Sequence, residues 1–176
     1  MEKKSYSYEK SVIHYQVYGK GRKLLWCFHG YGENAGSFAF LEPVFGNEYT
    51  ILAIDCPFHG DTQWQDALPL QPKELIDIME GISSTLPDTS AKKFSLLGYS
   101  MGGRICLQLL QEVPAKIERI MLIAPDGFHK NFWYYLSVQT KWGNHLFKYT
   151  MQHPGWLFYL MKTAGYVRLL NKSILR

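Results

Sequence analysis

Cysteine is scarce in this chain. Cys27, Cys56 and Cys106 are odd in number and far apart, which argues against a disulfide framework or a cysteine metal site and for buried thiols in a reducing compartment. Long hydrophobic runs are missing too: none approaches the ~20 residues of a membrane span. The start, Met1-Glu2-Lys3-Lys4-Ser5-Tyr6, has no apolar stretch behind its lysines, so no signal peptide is expected and the expected location is cytoplasmic. Acidic residues cease after Asp126. Beyond it lie Lys130, Lys141, Lys148, Lys162, Arg168, Lys172 and Arg176, a tail of +7 against −3 for the preceding residues, within a net charge of +4. These cations are spread through apolar segments rather than clustered with glycine or serine, which disfavours a nucleic-acid partner. No repeat or low-complexity tract is present.

What is present is ordinary for a globular chain. The 176 residues are 47% hydrophobic and 19% charged, with aromatics high at 15%, enough for one domain with a core. Ser5 to Tyr18 alternates like a strand pair. Compact apolar strands are expected at Lys23–Phe28, Tyr49–Ile54, Phe94–Leu97 and Ile120–Ala124. Between them, Gln71-Pro72-Lys73-Glu74 opens a helix with proline in its first turn, and Leu75, Ile78, Met79 and Ile82 follow at i, i+3, i+4, i+7. A second helix is expected from Ser100 to Val113. Continuous apolar strands alternating with amphipathic helices predict an α/β fold: a mostly parallel sheet with helices on both faces.

The segment Gly98-Tyr99-Ser100-Met101-Gly102 lies between a predicted strand and a predicted helix. This is the layout of a nucleophile elbow, a sharp turn that leaves no room for side chains two residues either side of the serine. The serine then stands at a helix N-terminus, where free N–H groups favour developing negative charge. The pattern alone arises by chance in roughly one chain of this length in twenty, and a helix-capping serine would explain it equally well.

Two further loops raise its weight. His29-Gly30-Tyr31-Gly32 follows the Trp26 strand, and Asp55-Cys56-Pro57-Phe58-His59-Gly60-Asp61 follows the Ile51 strand. Both sit at carboxyl ends of strands, where open α/β sheets build their sites. A strand ending in His-Gly, a strand ending in Asp-x-Pro-x-His-Gly and a G-x-S-x-G elbow, in that order, resemble the α/β-hydrolase superfamily over roughly residues 5 to 130. The resemblance implies Ser100 as nucleophile and the backbone N–H groups of Met101 and Tyr31 as the oxyanion hole. It implies structural roles for His29, which holds the oxyanion loop through hydrogen bonds, and for Gly30, Gly98 and Gly102 beside the site. His59 and Asp61 are expected to be scaffold, and Gly32 and Gly60 turn requirements. A serine at the elbow, rather than aspartate, implies acyl transfer to water: a serine hydrolase cleaving a carboxylic ester or thioester through an acyl-enzyme on Ser100. No metal or cofactor is expected.

The other triad members are less legible. In the family the order is serine, acid, histidine. No Asp or Glu follows Asp126, so if the acid lies within this chain in family order, Asp126 is the only candidate. Its setting, Ala124-Pro125-Asp126-Gly127 after a strand, also fits a turn-forming Asp-Gly, the heavier of the two readings. His129, His145 and His153 follow, and none is assigned as base. The chain is expected to be the N-terminal portion of a longer enzyme, with the histidine beyond residue 176. A species ending there is expected to be weak in activity and prone to aggregate through an unpaired strand edge.

Two regions are expected: a hydrolase-like core, 1–126, and the start of a helical lid, 127–176. The lid is read as packing its aromatics on the core with its lysines in water. The sharper alternative is a basic rim that attracts an anionic or amphiphilic substrate; contact with a membrane surface is possible in principle but not favoured. The rival functions are a non-catalytic member of the fold that binds a ligand in the same pocket, and an acyltransferase.

Overall fold

The computed structural model describes residues 2–66, 70–86 and 93–126, all within one compact unit, Met1–Phe128. Six strands form a single sheet: β1 (Glu2–Tyr8), β2 (Ser11–Tyr18), β3 (Lys23–Phe28), β4 (Tyr49–Ile54), β5 (Phe94–Tyr99) and β6 (Ile117–Ile123). Three α-helices accompany them: α1 (Glu42–Phe45), α2 (Pro72–Ser84) and α3 (Met101–Glu112). The strand order is β1-β2-β4-β3-β5-β6. The β1–β2 and β2–β4 pairs are antiparallel, and β4, β3, β5 and β6 run parallel.

The parallel strands are apolar at successive positions because both of their faces are covered. Leu24, Trp26 and Phe28 of β3, Leu52 and Ile54 of β4 and Leu96 of β5 join α2 and α3 in one core. The intervening residues Leu25, Cys27, Ile51, Ala53 and Leu97 pack on the opposite face against Ala35, Phe38 and Leu41. Trp26, at the middle of the sheet, has no solvent exposure. On the first face, α2 buries Leu75, Ile78, Met79 and Ile82, the predicted stripe. Its start is fixed by Pro72 at the first helical position and by the Gln71 amide, which donates to Glu74 Oε2 at 2.7 Å, the arrangement of a capping box.

The second face is covered by an element that periodicity did not reveal. Ala35–Leu41 forms a 3-10 helix that leads directly into α1. Asn34 caps it by accepting from the Gly36 amide at 2.8 Å. The 3-10 repeat and the four-residue length of α1 leave no i, i+3, i+4, i+7 signature. The last strand also starts earlier than its apolar run suggests, at Ile117 rather than Ile120, because Glu118 and Arg119 are exposed strand positions.

Register is what positions the loops. Phe28 pairs with Ile54 on one side and Gly98 on the other, and Gly98 pairs with Leu122. The carboxyl ends of β3, β4, β5 and β6 therefore stop at one level, and the segments beginning at His29, Asp55, Tyr99 and Ala124 leave the sheet side by side. Among the described residues, no helix is long and apolar enough to cross a membrane.

Candidate active site

Ser100 occupies the turn between β5 and α3 with φ 48° and ψ −113°. A non-glycine residue at positive φ is strained, and such strain persists only where the surroundings enforce it. They do so through backbone hydrogen bonds to β6, to the segment just after it and to the first turn of α3. The Ser100 amide donates to the Ile123 carbonyl at 3.0 Å, and its carbonyl accepts from the Asp126 amide at 3.1 Å and the Gly103 amide at 2.9 Å. The Ser100 side chain stands at the N-cap of α3 but makes no capping hydrogen bond. The hydroxyl is therefore not spent on the helix.

The glycines around it answer to space rather than to φ. A Cβ on Gly98 would lie 2.5 Å from the Gly102 carbonyl oxygen. A Cβ on Gly102 would collide with the carbonyl group of Phe28. Gly98 thus serves the sharp turn itself, whereas Gly102 lets the first turn of α3 sit against the end of β3. Gly30 does the same from the opposite side, where a Cβ would come within 3.4 Å of Ser100 Cβ and 3.0 Å of the Tyr99 ring. The loop after β3 consequently passes next to the serine.

That loop is a tight turn closed by the Glu33 amide donating to the Gly30 carbonyl at 3.2 Å, with Gly32 at φ 77°, the conformation a type II turn requires of its third residue. Tyr31 is 84% exposed, so its side chain is not a packing element of the described core. No carbonyl among the described residues accepts from the Tyr31 amide or the Met101 amide. The Met101 amide belongs to the first turn of α3, where helix geometry supplies no acceptor.

His29 is fully buried, and both of its ring nitrogens are engaged. The Cys56 amide donates to Nε2 at 3.0 Å, and Nδ1 lies 2.7 Å from the Gly30 carbonyl oxygen. An amide donor at Nε2 requires that nitrogen to be unprotonated, so the proton sits on Nδ1 and is donated to Gly30. Burial lowers the pKa of the ring from its ordinary 6.5, partly opposed by the Gly30 hydrogen bond. His29 thereby bridges the loops after β3 and β4 as a neutral imidazole.

Asp55, unremarked in the sequence beyond its motif, is the second brace. Its buried carboxylate accepts from the Ala35 amide at 2.6 Å and the Asp61 amide at 2.9 Å. A Cβ on Gly60 would strike that carboxylate. The signal was the aspartate closing an apolar strand, where a buried anion must be met by backbone donors. His59 rests edge-on to Tyr31, ring centroids 5.4 Å apart, and tilted to His29 at 5.2 Å. Its Nδ1 lies 3.0 Å from the Pro57 carbonyl oxygen.

The Asp126 side chain is exposed and faces Arg104, carboxylate oxygen to guanidinium nitrogen 3.9 Å. None of the three described histidines, His14, His29 and His59, is hydrogen-bonded to Ser100 or Asp126. His129, His145 and His153, and the expected lid at 127–176, lie outside the described residues. Sequence reasoning also passed over Arg104, which stands one helical turn after Ser100 on α3.

A family model for the alpha/beta hydrolase fold matches residues 23–157. The chain belongs to the α/β-hydrolase family. It is similar to a serine hydrolase-like protein of Danio rerio, 31% identical over 120 residues, covering 64% of this chain and 34% of that protein. It is also similar to a pimeloyl-[acyl-carrier protein] methyl ester esterase of Legionella pneumophila (strain Corby), 31% identical over 111 residues, 63% of this chain and 41% of the esterase. Among solved structures, a thioesterase domain from the curacin biosynthetic pathway superposes with a TM-score of 0.61 at 18% identity, over 88% of this chain and 62% of that one, a likeness of fold. The chain thus spans between a third and about two-fifths of the length of these two curated relatives.

Proposed function

We propose that the protein is a serine hydrolase that cleaves a small-molecule carboxylic ester or thioester through an acyl-enzyme on Ser100. The observation that carries this reading is the strained Ser100 turn, φ 48°, at the N-terminus of α3 and beside the Gly30–Tyr31 loop. Strain of this kind at a turn between strand and helix is a mark of function more than of packing. The named activity of the Legionella relative, a methyl ester esterase, supports an ester substrate.

In this mechanism Ser100 Oγ attacks the carbonyl carbon while a general base takes its proton. The carbonyl π electrons move to oxygen, and the resulting oxyanion accepts hydrogen bonds from the Met101 and Tyr31 amides. Collapse of the intermediate expels the alcohol or thiol, which leaves with the proton held by the base. Water then repeats the sequence on the acyl-serine and releases the acid. One oxyanion donor contributes on the order of 10²–10³ in rate. His29 is held as scaffold and none of the described histidines is hydrogen-bonded to Ser100, so in this reading the base comes from outside the described residues. Asp126 is held here as a backbone clamp on Ser100 and an ion-pair partner of Arg104.

The test is covalent labelling with a fluorophosphonate probe. Labelling of the wild-type protein that disappears in Ser100→Ala supports the reading. Labelling that persists in Ser100→Ala would sink it, and absence of any labelling favours a non-catalytic binding role for the same pocket.

A further inference from the structure

The face of α3 that carries Met101, Arg104, Ile105 and Gln108 borders a cleft of about 280 Å³. These positions fall at i, i+3, i+4 and i+7 and so share one side of the helix. The start of α2, with Gln71 and Leu75, and the segment Cys56–Pro57 also line it. Met101, the residue directly after Ser100, is one of its lining residues, so the cleft adjoins the turn that carries the candidate nucleophile. From Met101 to Gln108 its wall follows α3 for roughly 10 Å, the rise of seven residues. Its lining is apolar or amide-bearing with one charged side chain among the described residues, Arg104.

Arg104 is only loosely engaged. Its ion-pair partner among the described residues is Asp126 at 3.9 Å, beyond hydrogen-bond distance, with both side chains about half exposed or more. A guanidinium carries five N–H donors in a planar fork suited to a carboxylate. An arginine on a convex helix surface would be read as solvated. Here the guanidinium instead lies on the wall of a concave, largely apolar cleft that adjoins the Ser100 turn through Met101, and burying an acyl chain in that cleft would exclude water from around the charge.

We propose that this cleft is the acyl subsite and that Arg104 selects acyl groups bearing a second, anionic carboxylate. The proposal rests on Ser100 as the nucleophile for its catalytic consequence, but the anion subsite can be tested by binding alone. Arg104 lies four residues, about 6 Å of helix rise, beyond Ser100. A six-carbon diacid half-ester has the reach to place its ester at Ser100 and its carboxylate at the guanidinium. Asp126 then acts as the resident anion that the substrate carboxylate displaces.

The probes are methyl hydrogen adipate, which is anionic, and dimethyl adipate, which is neutral. Their dissociation constants are measured by calorimetry or NMR titration on the full chain carrying Ser100→Ala, so that neither is turned over. The anionic probe is expected to bind about 10- to 100-fold more tightly, the scale of one charge-assisted pair. Adding Arg104→Gln brings the ratio to about one, and Arg104→Lys retains part of it. Asp126→Asn raises the ratio by removing the competing carboxylate. A ratio near one before Arg104 is changed, a ratio that survives Arg104→Gln, or no binding of either probe overturns the proposal. Failure of the serine mechanism shows separately, as fluorophosphonate labelling independent of Ser100 while the two probes remain discriminated.

Discussion

The Cys56 amide donates to Nε2 of His29 at 3.0 Å, and through this contact the loops after β3 and β4 are held together by a buried, neutral imidazole. The consequence is a dependence of stability on pH. The folded-state pKa of His29 lies below the ordinary 6.5, chiefly because of burial, so the unfolded chain binds the proton more readily. Stability is therefore fully present above about pH 6.5 and declines as pH falls toward the lowered value. Denaturant midpoints across pH 5 to 8 should show this decline, and ¹⁵N NMR should show His29 holding its Nδ1-protonated tautomer at pH 6. A ring that is already doubly protonated at pH 6 would contradict the assignment.

Backbone strain at Ser100 predicts a trade between stability and function. Glycine adopts φ 48° without the cost borne by serine or alanine. Ser100→Gly should therefore be more stable than Ser100→Ala by about 1 kcal/mol after allowing for the added freedom of the unfolded glycine chain. Both variants lose the hydroxyl. Urea unfolding of the pair measures the difference, and equal stability would show that the turn is not strained.

At Gly102, the structure predicts a steric penalty unrelated to φ. Alanine there would place Cβ on the carbonyl group of Phe28, backbone that cannot yield cheaply. Gly102→Ala should cost about 3 kcal/mol, at the upper end for overpacking. Gly32→Ala is the contrast: φ 77° with open space around the Cβ position, and an expected cost of about 1 kcal/mol from backbone conformation alone. Thermal or chemical unfolding of both variants orders the two effects.

The thiols should be inert in the folded state. Cys27, Cys56 and Cys106 are buried and unpaired. Burial pushes the Cys56 and Cys106 thiols up to about 12, and that of Cys27 well above its ordinary value. The reactive thiolate is therefore almost absent at neutral pH. Iodoacetamide at pH 8 should modify none of the three until denaturant is added, as read by intact mass. Fast alkylation of Cys56 under native conditions would mean that the loop after β4 opens.

Much of this architecture was legible from the chain. The parallel strands announced themselves as unbroken apolar runs, since each buries both faces, and the stripe Leu75, Ile78, Met79, Ile82 marked α2. Ala35–Phe45 escaped notice because a 3-10 helix running into a four-residue α-helix has no long-range period. The first three residues of β6 escaped because Glu118 and Arg119 interrupt its apolar pattern at exposed positions. Each miss has the same origin: the residues are placed by what surrounds them and not by a repeat of their own.

The site divides along the same line. The sequence by itself determined the family, the order of the three loops and the serine between two glycines, because these are local patterns attached to strand ends. Only the tertiary structure decided that the loops meet. That follows from register, with Phe28, Ile54, Gly98 and Leu122 at one level of the sheet. Register also decided that Gly102 answers to Phe28 and that His29 answers to Cys56, across strands distant in sequence. It brought Asp126 to the backbone of Ser100 and its carboxylate to Arg104. Side-chain type is written in the chain, but the partner that gives it a role is chosen by which strands hydrogen-bond to one another.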